Sequence, residues 1–389
     1  MPKKCGIATF TNNLLLNLQD IGLESDLFVV AAESQENHKY GREVKAVIDS
    51  ANHASYLRAA DLLKRQRPNI TLLQHEYGLY GGEWTNFTVG DTLHHDPTGG
   101  YLAELIESLP CPIITTLHTV LNDLDPGRKE ILGRIINRSD RVVVMSQQSR
   151  KIIQGQFPAA KNKVVMIPHG VMVAKKPDKK SVILKRLNLD DGRFYLGVSG
   201  LITPNKKIET IIAALPKIIA KYPQVHLLVV GQTHPQILKD SGDVYREQLK
   251  KLVRQLGVDD HVSFVNKYMP ADKLLDYLAV IDIHLTIHSD PEQAASGTLA
   301  NAMGNGLVTV STPYTYAREL LANQRGVLVP FDDSAAISRV INRLLGDKTL
   351  YRRIQRNAYA YGRDMIWSNV AQAYWDLMEA VQSEHKTIL

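Results

Sequence analysis

From end to end, short β-rich apolar runs alternate with segments of helical period. The first half carries DLFVVAA (26–32), ITLLQHE (70–76), CPIITTLH (111–118), DRVVVMS (140–146) and NKVVMIPHG (162–170). The second carries RFYLGVSG (193–200), VHLLVVG (225–231), HVSFVN (261–266), IDIHLTI (281–287), GLVTVST (306–312) and GVLVPF (326–331). Between them lie segments such as SYLRAADLLKRQRP and KIETIIAALPKIIAKYP, whose apolar residues return at three and four. Continuous apolar strands flanked by helices predict parallel sheets covered on both faces. Eleven such runs are many for one sheet, so the pattern predicts an α/β chain with two doubly wound sheets. The polar, Lys- and Pro-rich stretch MVAKKPDKKS (172–181) reads as the linker, and after about residue 335 the chain reads as helix.

One place breaks the pattern. A doubly wound domain opens with a strand that leads into its first glycine loop. Here the loop KKCGIATFT arrives at once and the helix NNLLLNLQDIG follows. The expectation is a domain whose first N-terminal strand is missing, or a chain whose true start lies upstream.

The chain has 389 residues, enough for two domains of ordinary size. No apolar run approaches the roughly 20 residues of a membrane helix, and no secretory signal is read at the start. The two cysteines, Cys5 and Cys111, have neither metal-ligand nor disulfide spacing, so a reducing cytoplasm is expected. The net charge of +6 suits an anionic small ligand, an anionic membrane surface or nucleic acid. The basic residues read as scattered solvated charges, and no nucleic-acid motif is present.

Two segments are ready for an anion. In VSGLITPNKKIETIIAAL (198–215) a strand ends at Gly200, and Lys206 and Lys207 stand just before a helix. A glycine lets a phosphate approach the backbone, and a lysine beside a helix N-terminus adds to its dipole. Two exposed loop lysines would read the same way. In HSDPEQAASGTLANAMG (288–304), Ser296, Gly297 and Thr298 can offer amides and hydroxyls to a diphosphate, or serve as an ordinary N-cap. Gln293 and Asn301, eight apart, could enter one cleft from its two ends, where their amides would bond sugar hydroxyls. Strand-end histidines recur as His75 (beside Glu76), His118, His169 and His234, and a lone one is more often structural. No H-E-x-x-H, G-x-S-x-G or Walker A pattern occurs.

Taken together, KCGIATFT (4–11), QHEYGLYGGE (74–83), TTLHTVL (115–121), SDRVVVMS (139–146), IPHGV (167–171), SGLITPNK (199–206), GQTHP (231–235), SGTLANAMGNGLVTVSTPY (296–314), RGVLVPF (325–331) and AYAYGRDMIW (358–367) resemble family 4 of the glycosyltransferases, in its branch opening CGIATFT. The resemblance implies the GT-B fold, with two Rossmann-like domains facing across a cleft. Residues 1–172 would be the acceptor-side domain and 173–367 the donor-binding domain, with a last helix, about 368–389, packing back on the first. It implies retaining transfer of a hexosyl group, without cofactor or catalytic metal, from a nucleotide sugar. GDP-mannose or another common hexose donor is the association. The acceptor would be a glycan, a lipid-linked sugar or a small polyol, reached in the cytoplasm or at the inner membrane surface.

Residue by residue, Lys206 matches the lysine on the donor diphosphate, and Leu201 stands where many members have an arginine. The family's two glutamates fall on Gln293, toward the donor sugar, and Asn301, toward the ribose. Ser296, Gly297 and Thr298 match the segment facing phosphates and sugar. Gly6 and Gly200 match the loops at the diphosphate. His234 follows the donor-side loop at Gly231, and Met269, in NKYMP, lies where backbone reads the base. His118 matches the histidine near the transferred sugar, and His75 and Glu76 fall on the acceptor side. The stretch 84–100 looks like an insertion. The leaving phosphate would itself take the acceptor proton, since no side chain is an obvious nucleophile. Two alternatives stay open: a sugar phosphorylase or an epimerase, the latter with Glu76 and Glu83 as its carboxylates, or a degenerate or truncated non-catalytic copy.

Overall fold

The computed structural model describes residues 5–388 except 23–26, 34–37, 83, 90–91, 98 and 175–177; of 84–89, 92–97 and 387–388 it describes the backbone alone. The chain forms two compact units, Met1–Pro168 with Trp367–Leu389, and His169–Ile366. Glu83 lies outside the described residues. No helix among the described residues is long and apolar enough to cross a membrane.

The first unit runs α1 (Gly6–Asp20), β1 (Val29–Glu33), β2 (Val44–Asp49), α2 (His53–Gln66), β3 (Thr71–His75), β4 (Trp84–Val89), β5 (Thr92–Pro97), α3 (Gly100–Glu107), β6 (Ile113–Leu117), α4 (Pro126–Arg138), β7 (Arg141–Val144), α5 (Gln147–Gln156) and β8 (Val164–Met166). Its parallel strands form two sheets rather than the single one expected, β1-β2 and β3-β6-β7-β8. Among the described residues nothing pairs with the second edge of β1 or of β3. The sequence reading also passed over β2, whose burial alternates along VKAVID instead of staying apolar. The stretch 84–100 contains the antiparallel hairpin β4-β5. Ile48, Tyr56, Ala59, Leu102, Ile106, Ile113 and Ile135 build the core under α2, α3 and α4.

The second unit runs α6 (Lys180–Leu187), β9 (Phe194–Ser199), α7 (Ile208–Ile219), β10 (Val225–Val230), α8 (Pro235–Ser241), α9 (Val244–Gln255), β11 (Val262–Val265), α10 (Ala271–Val280), β12 (Ile283–Thr286), α11 (Gly297–Gly304), β13 (Val308–Ser311), α12 (Thr315–Leu320), β14 (Val327–Leu328), α13 (Ser334–Gly346) and α14 (Lys348–Arg363). All pairings of its six-stranded sheet, β11-β10-β9-β12-β13-β14, are parallel. Strand order reverses between β9 and β12, which makes their C-terminal ends the topological switch point. The apolar stripe of α7, with Ile208, Ile211, Ile212, Leu215 and Ile218 buried, closes one face against Leu196, Val198, Leu227 and Val229. Asp333 and Asp347 cap α13 and α14 by accepting from Ala336 and Leu350 N–H.

The last helix, α15 (Trp367–Ile388), belongs to the first unit and packs on α1. The buried Tyr374 hydroxyl meets Thr116 Oγ1 at 2.8 Å, and His385 Nε2 meets Asp140 Oδ1 at 2.7 Å. Arg141 pairs with Glu384 further along the helix.

Candidate functional site

The loops after β9 and β12 meet at the switch point of the second unit. β9 ends in Ser199, and Gly200 follows with φ +91°. A Cβ there would stand 2.7 Å from Thr298 Cγ2 and 3.1 Å from Lys206 Nζ, so backbone, lysine and threonine converge on one spot. The next loop is equally close: a Cβ at Gly231 (φ +142°) would lie 2.0 Å from Gly200 O. Lys206 ends a single 3-10 turn, Pro204–Lys206, and its Nζ donates to Ser199 O at 2.6 Å. No carboxylate pairs with it among the described residues. Loss of solvent around the ammonium pushes its pKa down to about 8.

From the other side, Ser296 caps α11, its Oγ accepting from Leu299 N–H at 3.3 Å and standing 3.2 Å from Thr298 Oγ1. His169 lies against the first residue of this helix: a Cβ at Gly297 would be 3.2 Å from its Nε2. Ser199, Lys206, Thr286, His288 and Thr298 line a small polar concavity. Behind it His284, fully buried, meets Ser199 Oγ with Nε2 at 2.9 Å. Burial first, and the Lys206 charge second, push His284 and His288 down to about 3, so both are neutral at physiological pH. At about 10 Å³ the concavity has room for a water-sized group; besides apolar Val198, Leu285 and Ile287, its lining among the described residues is one cation, neutral imidazole and hydroxyls beside a helix N-terminus, with no carboxylate. That composition is made for an anion.

Other donor-side candidates lie elsewhere. Asn301 is turned to the segment after His169, its Oδ1 accepting from Met172 N–H at 2.9 Å. Gln293 donates from Nε2 to Ala295 O at 3.0 Å. Neither lines the concavity, so the structure does not bring this pair together there. His234 caps α8, its Nδ1 accepting from Gln236 N–H at 3.2 Å. Met269 follows β11 and packs, half-buried, against the core under α6 and α10. Two residues that the sequence reading missed hold these loops together. Arg246, 1% exposed, donates from Nη2 to Gly231 O at 2.8 Å and pairs with Asp243, which also accepts from Thr233 and Asn266. His284 and His288 were missed as well. With Thr286 they alternate against Ile283, Leu285 and Ile287, a period-2 signal hidden inside an apolar run.

The first unit brings its candidates together at the ends of β3 and β6. His118 is buried; its N–H donates to His75 O at 3.0 Å, and Nε2 meets Gln74 Oε1 at 2.8 Å. Phe10 of α1 stands edge-on to it at 4.8 Å, and Trp367 stands 5.0 Å from Phe10. Gly6 is the first residue of that same helix, with open space around it. His75 is buried, its Nδ1 without a hydrogen bond, and desolvation pushes it down to about 4. Glu76 accepts from Thr119 Oγ1 and from Tyr77 N–H, each at 2.9 Å. Burial raises it to about 7 against those bonds and the nearby Arg128 charge. Arg128, itself 2% exposed, lies over the Tyr77 ring at 4.8 Å. No group of three or more His, Cys, Asp or Glu side chains able to hold a metal occurs among the described residues.

Residues 5–175 match the model described as Glycosyltransferase Family 4, and residues 179–361 match Glycosyl transferases group 1. A phosphatidyl-myo-inositol mannosyltransferase of Mycolicibacterium smegmatis is 26% identical over 305 residues, 73% of this chain and 70% of that one. Among solved structures, sucrose-phosphate synthase of Thermosynechococcus elongatus superposes with a TM-score of 0.74 at 17% identity, covering 98% of this chain and 94% of that one. Anabaena HepE, solved with UDP and glucose, gives 0.71 at 15% identity, covering 98% and 97%.

Proposed function

The chain belongs to the family 4 glycosyltransferases, and from that premise we propose that it moves a hexosyl group, with retention and without a metal, from a nucleoside-diphosphate sugar to an acceptor hydroxyl. The observation that carries this is Lys206. It is a half-buried ammonium with no carboxylate partner among the described residues, set beside the N-terminus of α11 at the switch point of a parallel sheet. The donor diphosphate supplies the missing counter-charge. Negative charge grows on it as the bond from the sugar's anomeric carbon to the phosphate oxygen breaks, and Lys206 with the amides at Gly297 and Thr298 is placed to stabilise that charge. The bond from the anomeric carbon to the acceptor oxygen forms on the same face. The acceptor proton passes to the departing phosphate oxygen.

In this reading the acceptor is held by the first unit, where His118, His75 and Glu76 gather. HepE, solved with UDP and glucose, supports a nucleotide-sugar donor. The mycobacterial relative, named for transfer to phosphatidyl-myo-inositol, supports a lipid-borne polyol acceptor and, among hexoses, mannose. Peripheral attachment to a membrane follows from such an acceptor.

A thermal-shift series with UDP, GDP, ADP and their hexose conjugates in EDTA tests the reading. The right nucleotide sugar, at a hundred times its dissociation constant, is expected to stabilise the fold by about 2.7 kcal/mol. No shift with any of them sinks the donor site; a shift that appears only when a divalent ion replaces EDTA sinks metal independence. The pH dependence has a definite sign. Only the charged form of Lys206 attracts the diphosphate, and in the empty protein it loses its proton around pH 8. Nucleotide affinity is therefore expected to hold between pH 7 and 8 and to weaken by about tenfold per unit above that. A flat titration calorimetry series from pH 7 to 9.5 would remove Lys206 from the diphosphate.

A further inference from the structure

We propose that His288 is a second ligand of the sugar-bearing phosphate, reading it with a hydrogen bond from the wall of the concavity that it shares with Lys206. The assignment rests on the donor-site reading above.

Three observations carry it. The imidazole lines the same concavity as Lys206, Ser199 and Thr298, and the residue is 6% exposed. Its Nδ1 is buried without a hydrogen bond, and neither ring nitrogen finds a partner among the described residues. A buried polar group left unmatched costs about 1–3 kcal/mol, so a persistent one calls for a ligand or an ordered water. The ring is also fixed in place. His288 N–H donates to Thr312 Oγ1 at 2.9 Å, Thr312 Oγ1 donates back to His288 O at 2.7 Å, and the ring stands edge-on to buried Tyr314 at 5.2 Å.

The neighbours explain why this residue and no other takes the role. His284 points Nε2 at Ser199 and is fully buried, a supporting position. Leu201, next to Gly200, offers no side-chain donor. A second cation beside Lys206 would repel it. A neutral imidazole donates one hydrogen bond to a phosphate oxygen without adding charge, and burial beside Lys206 keeps His288 in that form. Lys206 then supplies the charge and His288 the direction.

Titration calorimetry with UDP, GDP, UMP and GMP on wild type, His288→Phe and His288→Asn tests the assignment. Phenylalanine keeps the edge contact with Tyr314 and removes both nitrogens; asparagine keeps a donor and gives up the ring. The Phe variant is expected to melt as wild type does and to bind the preferred diphosphate roughly ten- to thirtyfold more weakly, with monophosphate affinity unchanged. The Asn variant is expected to recover most of the diphosphate affinity. A folded Phe variant with wild-type diphosphate affinity overturns the assignment, because a packing role would survive in Phe and fail in Asn. Should the Phe variant not fold, His288→Ala decides by the ratio of diphosphate to monophosphate affinity, and an unchanged ratio overturns it. Wild-type protein that binds neither diphosphate, nor ADP in the thermal-shift series, refutes the donor site itself.

Discussion

Lys206→Met is expected to lower turnover at least a hundredfold and to raise the melting temperature. The first effect follows from charge. Removing one preorganised contact to a leaving group typically costs about 3–4 kcal/mol of transition-state stabilisation. Methionine keeps most of the length of the side chain, one atom shorter, and gives up the ammonium. The second effect follows from the proton. Lysine in an unfolded chain titrates near 10.4, and burial holds Lys206 near 8. Between those values the unfolded chain binds more protons than the folded one, so stability rises with pH across that window. Below pH 8 the folded protein bears the full cost of a charge out of water. Discounted for partial solvent screening, that cost is on the order of 1–3 kcal/mol. Methionine removes it, and the lost bond to Ser199 O offsets part of the gain. A rise of several degrees in scanning calorimetry at pH 7, together with the fall in turnover, is the expected pair. A variant that melts lower than wild type, or turns over at near-wild-type rate, contradicts the role.

Gly231→Ala is expected to destabilise the second unit by about 3 kcal/mol or more and to abolish nucleotide binding. The new methyl would lie 2.0 Å from Gly200 O, at a φ of +142° that side chains rarely adopt. The obstacle is backbone, which has no rotamer to escape into. Gly200 cannot retreat either, since it is confined by Thr298 and Lys206. Gly231 is also held from behind, its N–H donating to Val265 O and its carbonyl accepting from Arg246. Relief must come from parting the loops that form the concavity. Gly6→Ala is the control: open space surrounds it at the start of α1, and its melting temperature should stay within about a degree of wild type. Equal effects at the two glycines would show that the Gly200–Gly231 contact carries nothing.

The second unit was largely legible in the sequence because its central strands β9, β10, β12 and β13 are buried on both faces and read as mainly apolar runs. Their loops at Gly200 and Ser296 then fell where a doubly wound sheet binds ligands, and the structure converges Gly200, Lys206 and Thr298 there. What stayed hidden has physical reasons. β2 is half-exposed, so its alternation is too brief to stand out. His284 and Thr286 are polar residues in a strand that otherwise reads as core, with His288 just beyond its end, and only the fold sets the two histidines near Lys206. Asn301 shows the limit of spacing. Eight residues from Gln293 it could have entered the same site, but the chain passing at Met172 takes its carbonyl oxygen. Arg246 and Asp243 knit three loops that are far apart in sequence, a contact no local pattern announces.

The return of α15 to the first unit has a consequence for how the protein is made. Phe10, Leu14 and Leu18 of α1 are buried, and α15 is the helix that packs on α1. On the ribosome that helix is synthesised only after all of His169–Ile366. At roughly 5–20 residues per second, the opening segment waits tens of seconds with its apolar stripe uncovered. The second unit, continuous in sequence, has its whole core in hand by then. Vectorial synthesis therefore favours the second unit as the first to fold, and makes helix α1 the stretch of nascent chain most in need of a chaperone.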